Sequence, residues 1–220
     1  MKQTAMLLAV CTIVFQLHAG VLGTVNLTDY DSFKHDTKGN TVASMYTREN
    51  QQITSCTLSM FDKTGTKKID VTFPEAVGKP NCIVRACDGT WALLQMGDTY
   101  YSVVLSTSGV TILGTAANTV FQFRFMAGKL LLSYIGNTDS CQVFDRRLSS
   151  VGAPVTVLGA PHSLNQGKYF YCEGNDRTQI WAVKNELIKL IDETGEFAEI
   201  YEPGRLCCIQ DDDLHKICKY

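Results

Sequence analysis

Short apolar runs, each introduced by a glycine and closed by a polar turn, recur along this chain. They read Gly89-Thr90-Trp91-Ala92-Leu93-Leu94, Gly128-Lys129-Leu130-Leu131-Leu132, Gly167-Lys168-Tyr169-Phe170-Tyr171 and Gly204-Arg205-Leu206-Cys207-Cys208-Ile209, with successive glycines 39, 39 and 37 residues apart. A period of this length marks stacked supersecondary units. About eight residues after each glycine comes a turn rich in Gly, Asn and Asp: Gly97-Asp98, Gly136-Asn137-Thr138-Asp139, Gly174-Asn175-Asp176 and Asp211-Asp212-Asp213. These residues tolerate positive φ and close hairpins, so each unit reads as strand, tight turn, strand.

The returning strands are predicted over 100–105, 141–145, 178–183 and 215–220. Further strands are expected at 110–113, 155–158 and 187–191, and before the glycines at 82–87, 119–126 and 197–201. Four short strands per unit is the spacing of propeller blades. The stretch from Asn185 to Ile191 also fits a short helix, but its place in the repeat predicts a strand. The N-terminal part is a looser copy, with strands at Gly39 to Tyr46, Cys56 to Phe61 and Ile69 to Phe73, and the 50-residue interval from Gly39 to Gly89 requires an insertion. The last unit lacks a fourth strand, and Thr24 to Tyr30 is expected to fill that place and close the ring. Apolar residues at consecutive positions, as in Leu130, Leu131 and Leu132, require cover on both faces of the strand.

With roughly 200 residues after an N-terminal leader and a period near 39, the chain resembles the small five-bladed β-propellers, among them secreted lectins of the tachylectin type. The resemblance lies in period and strand order from Thr24 to Tyr220 and brings no site residues with it. The expected fold is therefore all-β, a small propeller of about five blades closed by the termini. A β-sandwich or trefoil-like barrel is the alternative if the N-terminal third forms no unit.

Lys2, the apolar run from Ala5 to Phe15 and the small-residue segments Leu17-His18-Ala19 and Val21-Leu22-Gly23 follow the pattern of a secretory signal peptide over residues 1–23. The mature part is expected as one domain over 24–220, secreted and extracellular, with no segment long enough to cross a bilayer. A formal net charge of −2 argues against nucleic acid or an anionic membrane as the main partner. Once Cys11 leaves with the leader, eight cysteines remain: Cys56, Cys82, Cys87, Cys141, Cys172, Cys207, Cys208 and Cys218. In an exported chain an even number reads as disulfides, whose connectivity the sequence leaves open. A turn at Asp212-Asp213 would set Cys208 opposite Cys218, with Cys207 on the other face. No Cys-x-x-Cys or paired His spacing implies zinc, and no cofactor is expected. Asn26-Leu27-Thr28 is an N-glycosylation sequon.

Catalytic signals are few. His35, His162 and His215 accompany no Gly-x-Ser-x-Gly elbow, and Gly128-Lys129 and Gly167-Lys168 lack the rest of a phosphate loop. Asp88, Asp145, Glu173 and Glu199 lie near strand ends and are the candidates for a glycosidase acid pair. Asp98, Asp139, Asp176 and Asp212 recur at equivalent tips, where Asp favours tight turns and where a shared calcium or ligand surface is the alternative. Trp91, Tyr100, Tyr101, Tyr134, Tyr169, Tyr171 and Trp181 read mainly as core, although sugar stacking is another use for such rings. The expected function is a non-enzymatic binding protein for extracellular glycans or an extracellular protein. A small extracellular glycoside hydrolase and a secreted effector or venom-like protein are the alternatives.

Overall fold

The computed structural model describes residues 24–164, 167–175, 177–184, 187–194, 196–202, 205–210 and 214–219, with 177 and those from 188 onward described through their backbone. The signal peptide expected over 1–23 lies outside the described residues, as do Gly204, Asp176 and Asp212. Among the described residues nineteen strands form five antiparallel sheets, each from consecutive strands. The first holds β1 (Ser32–His35), β2 (Thr41–Glu49), β3 (Gln52–Phe61) and β4 (Lys67–Thr72). The second holds β5 (Ile83–Asp88), β6 (Trp91–Met96), β7 (Thr99–Ser106) and β8 (Gly109–Ala117). The third holds β9 (Phe123–Ala127), β10 (Leu130–Ile135), β11 (Ser140–Phe144) and β12 (Ser150–Thr156). The fourth holds β13 (His162–Leu164), β14 (Tyr169–Glu173), β15 (Arg177–Val183) and β16 (Leu187–Thr194). The fifth has three strands, β17 (Glu196–Glu202), β18 (Arg205–Gln210) and β19 (Leu214–Lys219).

The repeated glycines therefore mark equivalent places. Each recurring apolar run is the second strand of its sheet, and Gly39, Gly89, Gly128 and Gly167 precede β2, β6, β10 and β14 with φ between 59° and 87°. That left-handed backbone suits glycine and turns the first strand of each sheet into the second. As the unbroken apolar runs require, Trp91 to Leu94 and Leu131 to Tyr134 are buried on both faces.

A second turn chemistry recurs. The carboxylates of Asp36, Asp62 and Asp145 each accept the backbone N–H groups two and four residues on, at 2.8–3.1 Å. They close β1–β2, β3–β4 and β11–β12. In each loop the residue three after the Asp has positive φ: Gly39, Gly65 and, against the usual preference, Leu148.

Three apolar clusters fill the spaces between successive sheets. One packs Val42, Leu58 and Phe73 beside Val84, Leu94 and Val103, joining sheets one and two. Another, with Trp91, Leu93, Phe121, Leu131 and Phe144, joins sheets two and three. The third, with Leu132, Val143, Phe170 and Trp181, joins three and four. β17 of the fifth sheet lies beside β15. The insertion before Gly89 is absorbed by the long β2–β3 hairpin and a 3-10 turn at Pro74–Ala76. No helix among the described residues is long and apolar enough to cross a membrane.

The structure corrects several expectations. Thr24 to Tyr30 forms no strand and fills no place in the fifth sheet. The segment instead lies along the first: Thr24 sits against Gly65, the Tyr30 ring meets Phe61 edge-on at 5.7 Å and its hydroxyl donates to Ser59 Oγ. Its short run of Asn, Thr and Asp favours side-chain turns over a ladder. A turn at 118–120 is followed by Phe121, buried in the core, and the strand begins only at Phe123. The candidate helix is strand β16. In β18–β19 Cys208 pairs with Lys216 and Cys218 with Leu206, because Gln210 pairs with Leu214 and that register sets Cys208 opposite a residue two short of Cys218.

Candidate functional site

The first strands of three sheets converge on one cleft of about 520 Å³. Its walls are Lys34 to Lys38 at the end of β1 and its turn, Arg85 to Asp88 of β5, and Phe123 to Met126 of β9 with Gly128 and Lys129 beyond it. A cavity of this size suits a small ligand or one segment of a polymer.

Lys34, Lys38, Arg85, Arg124 and Lys129 face two carboxylates, Asp36 and Asp88. Both acids are already engaged. Asp36 Oδ2 accepts the Gly89 N–H at 2.9 Å and the Asn40 side-chain amide at 2.8 Å, and so ties the first sheet to the second. Burial works to raise its pKa, but the hydrogen bonds from Asn40, Gly89 and Lys38 outweigh this and hold the carboxyl below its usual value. Asp88 pairs with Lys38 at 3.3 Å and with Arg146 from the β11–β12 turn. The Arg146 guanidinium, more than desolvation, decides the direction and keeps Asp88 below the usual carboxylate range. The same guanidinium lies 4.7 Å from the Trp91 ring centroid. Trp91 Nε1 donates to the buried Ser102 hydroxyl, which in turn donates to the Arg146 carbonyl. One polar network thus binds the second and third sheets behind the cleft.

The remaining cations are free of carboxylates. Among the described residues, Lys34, Arg85, Arg124 and Lys129 take part in no ion pair. Arg85 Nε donates to Gln95 at 2.8 Å, and the Arg124 guanidinium lies 4.9 Å from the Tyr134 centroid, contacts that orient the two groups without cancelling their charge. Half-buried Phe123 and Phe125 also line the cleft, each packed in part on an inter-sheet apolar cluster.

The other candidates are dispersed. Asp145 caps its own turn, Glu173 is exposed at the end of β14, and Glu199 lies in β17 opposite Cys207. With Asp88 held low by Arg146, it has the opposite of the raised pKa a glycosidase proton donor needs. The tip residues Asp98 and Asp139 each accept, through the backbone carbonyl, an N–H from the residue that follows the fourth strand, Asn118 and Val157, and Asp139 also accepts the Tyr134 hydroxyl. Their equivalence has a structural use. Among the described residues no group of three or more His, Cys, Asp or Glu is placed to hold a metal ion.

Trp91, Tyr100, Tyr134 and Trp181 are buried, and Tyr101, Tyr169 and Tyr171 half-buried. His35 Nδ1 is 2.8 Å from Thr41 Oγ1 at the rim of the cleft, His162 stacks on Tyr171, and His215 pairs with Ile209. Cys56, Cys82, Cys87, Cys141 and Cys172 are buried thiols; Cys207, Cys208 and Cys218 lie in β18 and β19. Asn26 is exposed, and its side-chain oxygen accepts the Thr28 N–H and hydroxyl.

No protein-family model matches the chain, and no curated protein does. Among solved structures it is similar to a eukaryotic initiation factor, at 11% identity and a TM-score of 0.52, over 89% of this chain and 53% of that one. It is also similar to Hsv2 of Kluyvelomyces marxianus, at 6% identity and 0.49, over 85% and 60%. The β-propeller domain of Cps50 (Swd1) from Myceliophteria thermophila gives 9% identity and 0.40, over 90% and 85%. This chain spans only 60% of the Hsv2 chain and 53% of the initiation factor. At such identities the likeness is one of fold alone, a succession of antiparallel sheets.

Proposed function

We propose that this chain is an extracellular, non-enzymatic binding protein, that its five sheets serve as blades of one ring, and that the cleft between the first three takes an anionic glycan. The observation that carries the reading is the set of cations with no carboxylate partner among the described residues, Lys34, Arg85, Arg124 and Lys129, around a cleft whose two described lining acids are consumed by internal contacts. Walls of low dielectric strengthen such a field relative to open water. Arginine forks match sulfate and carboxylate oxygens, and the faces of Phe123 and Phe125 suit the apolar face of a sugar ring.

Sulfated oligosaccharides titrated against the folded chain test this reading. Binding should weaken with salt, and Lys34→Glu with Lys129→Glu should reduce affinity by roughly tenfold or more, a loss of about 1.4 kcal/mol or greater. Equal affinity for a neutral oligosaccharide of the same length, or an unchanged affinity in the double variant, would sink it. Export and glycosylation at Asn26 belong to the same reading. The mass of the chain recovered from a secreting eukaryotic cell, before and after enzymatic removal of N-glycans, reads both leader cleavage and Asn26 occupancy; a full-length, unshifted mass contradicts them.

A further inference from the structure

Two pairs of cysteines meet across the junctions between sheets. Cys56, in β3 of the first sheet, and Cys82, which immediately precedes β5 of the second, lie in one apolar cluster, with their thiols near enough to perturb each other's ionisation. Cys141, in β11 of the third sheet, and Cys172, in β14 of the fourth, stand in the same relation. Each pair sits inside the apolar cluster that joins its two sheets, and none of the four cysteines is more than 4% exposed. Backbone contacts hold the first pair on both sides: the Cys56 carbonyl accepts the Phe73 N–H at 2.9 Å, and the Cys82 carbonyl accepts the Ser44 hydroxyl at 2.7 Å.

Cys56 and Cys141 both occupy the third strand of their sheets, whereas Cys82 stands just before the first strand of the next sheet and Cys172 in the second. The junction between the second and third sheets has no thiol pair among the described residues and is tied instead by Trp91, Ser102, Arg146 and Asp88. Cys87, the remaining cysteine whose side chain is described, is committed elsewhere: its Sγ donates to the Lys34 carbonyl at 3.2 Å.

We infer that Cys56–Cys82 and Cys141–Cys172 are sites of covalent modification, two cystines that staple the first sheet to the second and the third to the fourth. The oxidant is a small-molecule disulfide such as oxidised glutathione. The Cys56 thiolate attacks one sulfur of that disulfide and expels a thiolate; the Cys82 thiolate then attacks the Cys56 sulfur of the mixed disulfide and expels the other. One protein S–S bond forms as the reagent's S–S bond breaks, and two electrons and two protons pass to the two reagent thiols. The second pair reacts in the same way. The partner sulfur and burial make the Cys82 and Cys141 thiols hard to ionise once the clusters have closed. Exchange thus belongs to the stage before the clusters close, and the finished bonds are shielded from reductants.

The test is peptide mapping of the full chain, refolded in a glutathione redox buffer, unfolded in denaturant and alkylated without reduction. Peptides containing Cys56 and Cys82 should be found joined, as should those containing Cys141 and Cys172, each lighter by two hydrogens than the separate pair. Cys82→Ser should free Cys56 for alkylation and leave the Cys141–Cys172 bond in place, and Cys87→Ser should leave both bonds intact. Full alkylation of the four residues in the wild-type chain, or a bond from Cys56 to Cys87, would overturn the inference. The wild-type map needs no variant to fold.

Discussion

Leu148 holds a left-handed backbone at φ 61°, in a turn whose counterparts use Gly39 and Gly65. The conformation costs a branched residue about 1–2 kcal/mol. The same side chain is 8% exposed in the cluster between the second and third sheets, and truncating a buried leucine costs roughly 2.7–5 kcal/mol. Packing therefore outweighs strain, which explains how a leucine persists at a glycine position. Leu148→Gly should lower unfolding free energy by about 1–3 kcal/mol in chemical denaturation; a stabilised variant would show that relief of strain is the larger effect. The sequence displayed the Asp145 turn only faintly, because the Gly that marks its two counterparts is missing there.

At the scale of the strand, two kinds of glycine have different tasks. Gly89 has φ 59° and open space where a side-chain methyl would stand, whereas a Cβ on Gly114 in β8 would lie 2.0 Å from the Arg147 carbonyl oxygen. Gly114 faces Ser102 at a register shift in the β7–β8 ladder, and the closeness comes from the β11–β12 turn of the next sheet. Gly89→Ala should cost about 1–2 kcal/mol through its backbone alone. Gly114→Ala, with rigid backbone on both sides of the clash, should cost more than Gly89→Ala and lower the melting temperature further, although its own φ is ordinary. Equal losses would mean that the second and third sheets slide apart easily. The period pointed to Gly89; nothing local pointed to Gly114, because its partner is 33 residues away in sequence.

Across the whole molecule, Asp88 links three sheets through Lys38 and Arg146, and Asp36 links two through Gly89. Both carboxyls are held below their usual range when folded, against about 3.9 for an unfolded aspartate. Between the two values the unfolded chain binds more protons, so their stabilisation is present above about pH 4 and is lost as pH falls through the folded values. Melting temperature should drop between about pH 5 and pH 3, and Asp88→Asn should flatten part of that slope; a wild-type melting temperature that rises on acidification contradicts this. The sequence by itself determined the glycine-led second strands, the polar turns that follow them and the equivalence of the units, because positive-φ glycines, polar turns and doubly buried apolar runs act within a few residues; it did not show β1 and β13, which carry no such marks. Only the tertiary structure decided where Thr24 to Tyr30 lies, which cysteines meet, and that Lys34, Arg85, Arg124 and Lys129 surround one cleft. Those residues come from separate sheets, and a chain of net charge −2 gains a basic cleft only when packing gathers its cations and turns its neighbouring acids inward to hold the sheets together.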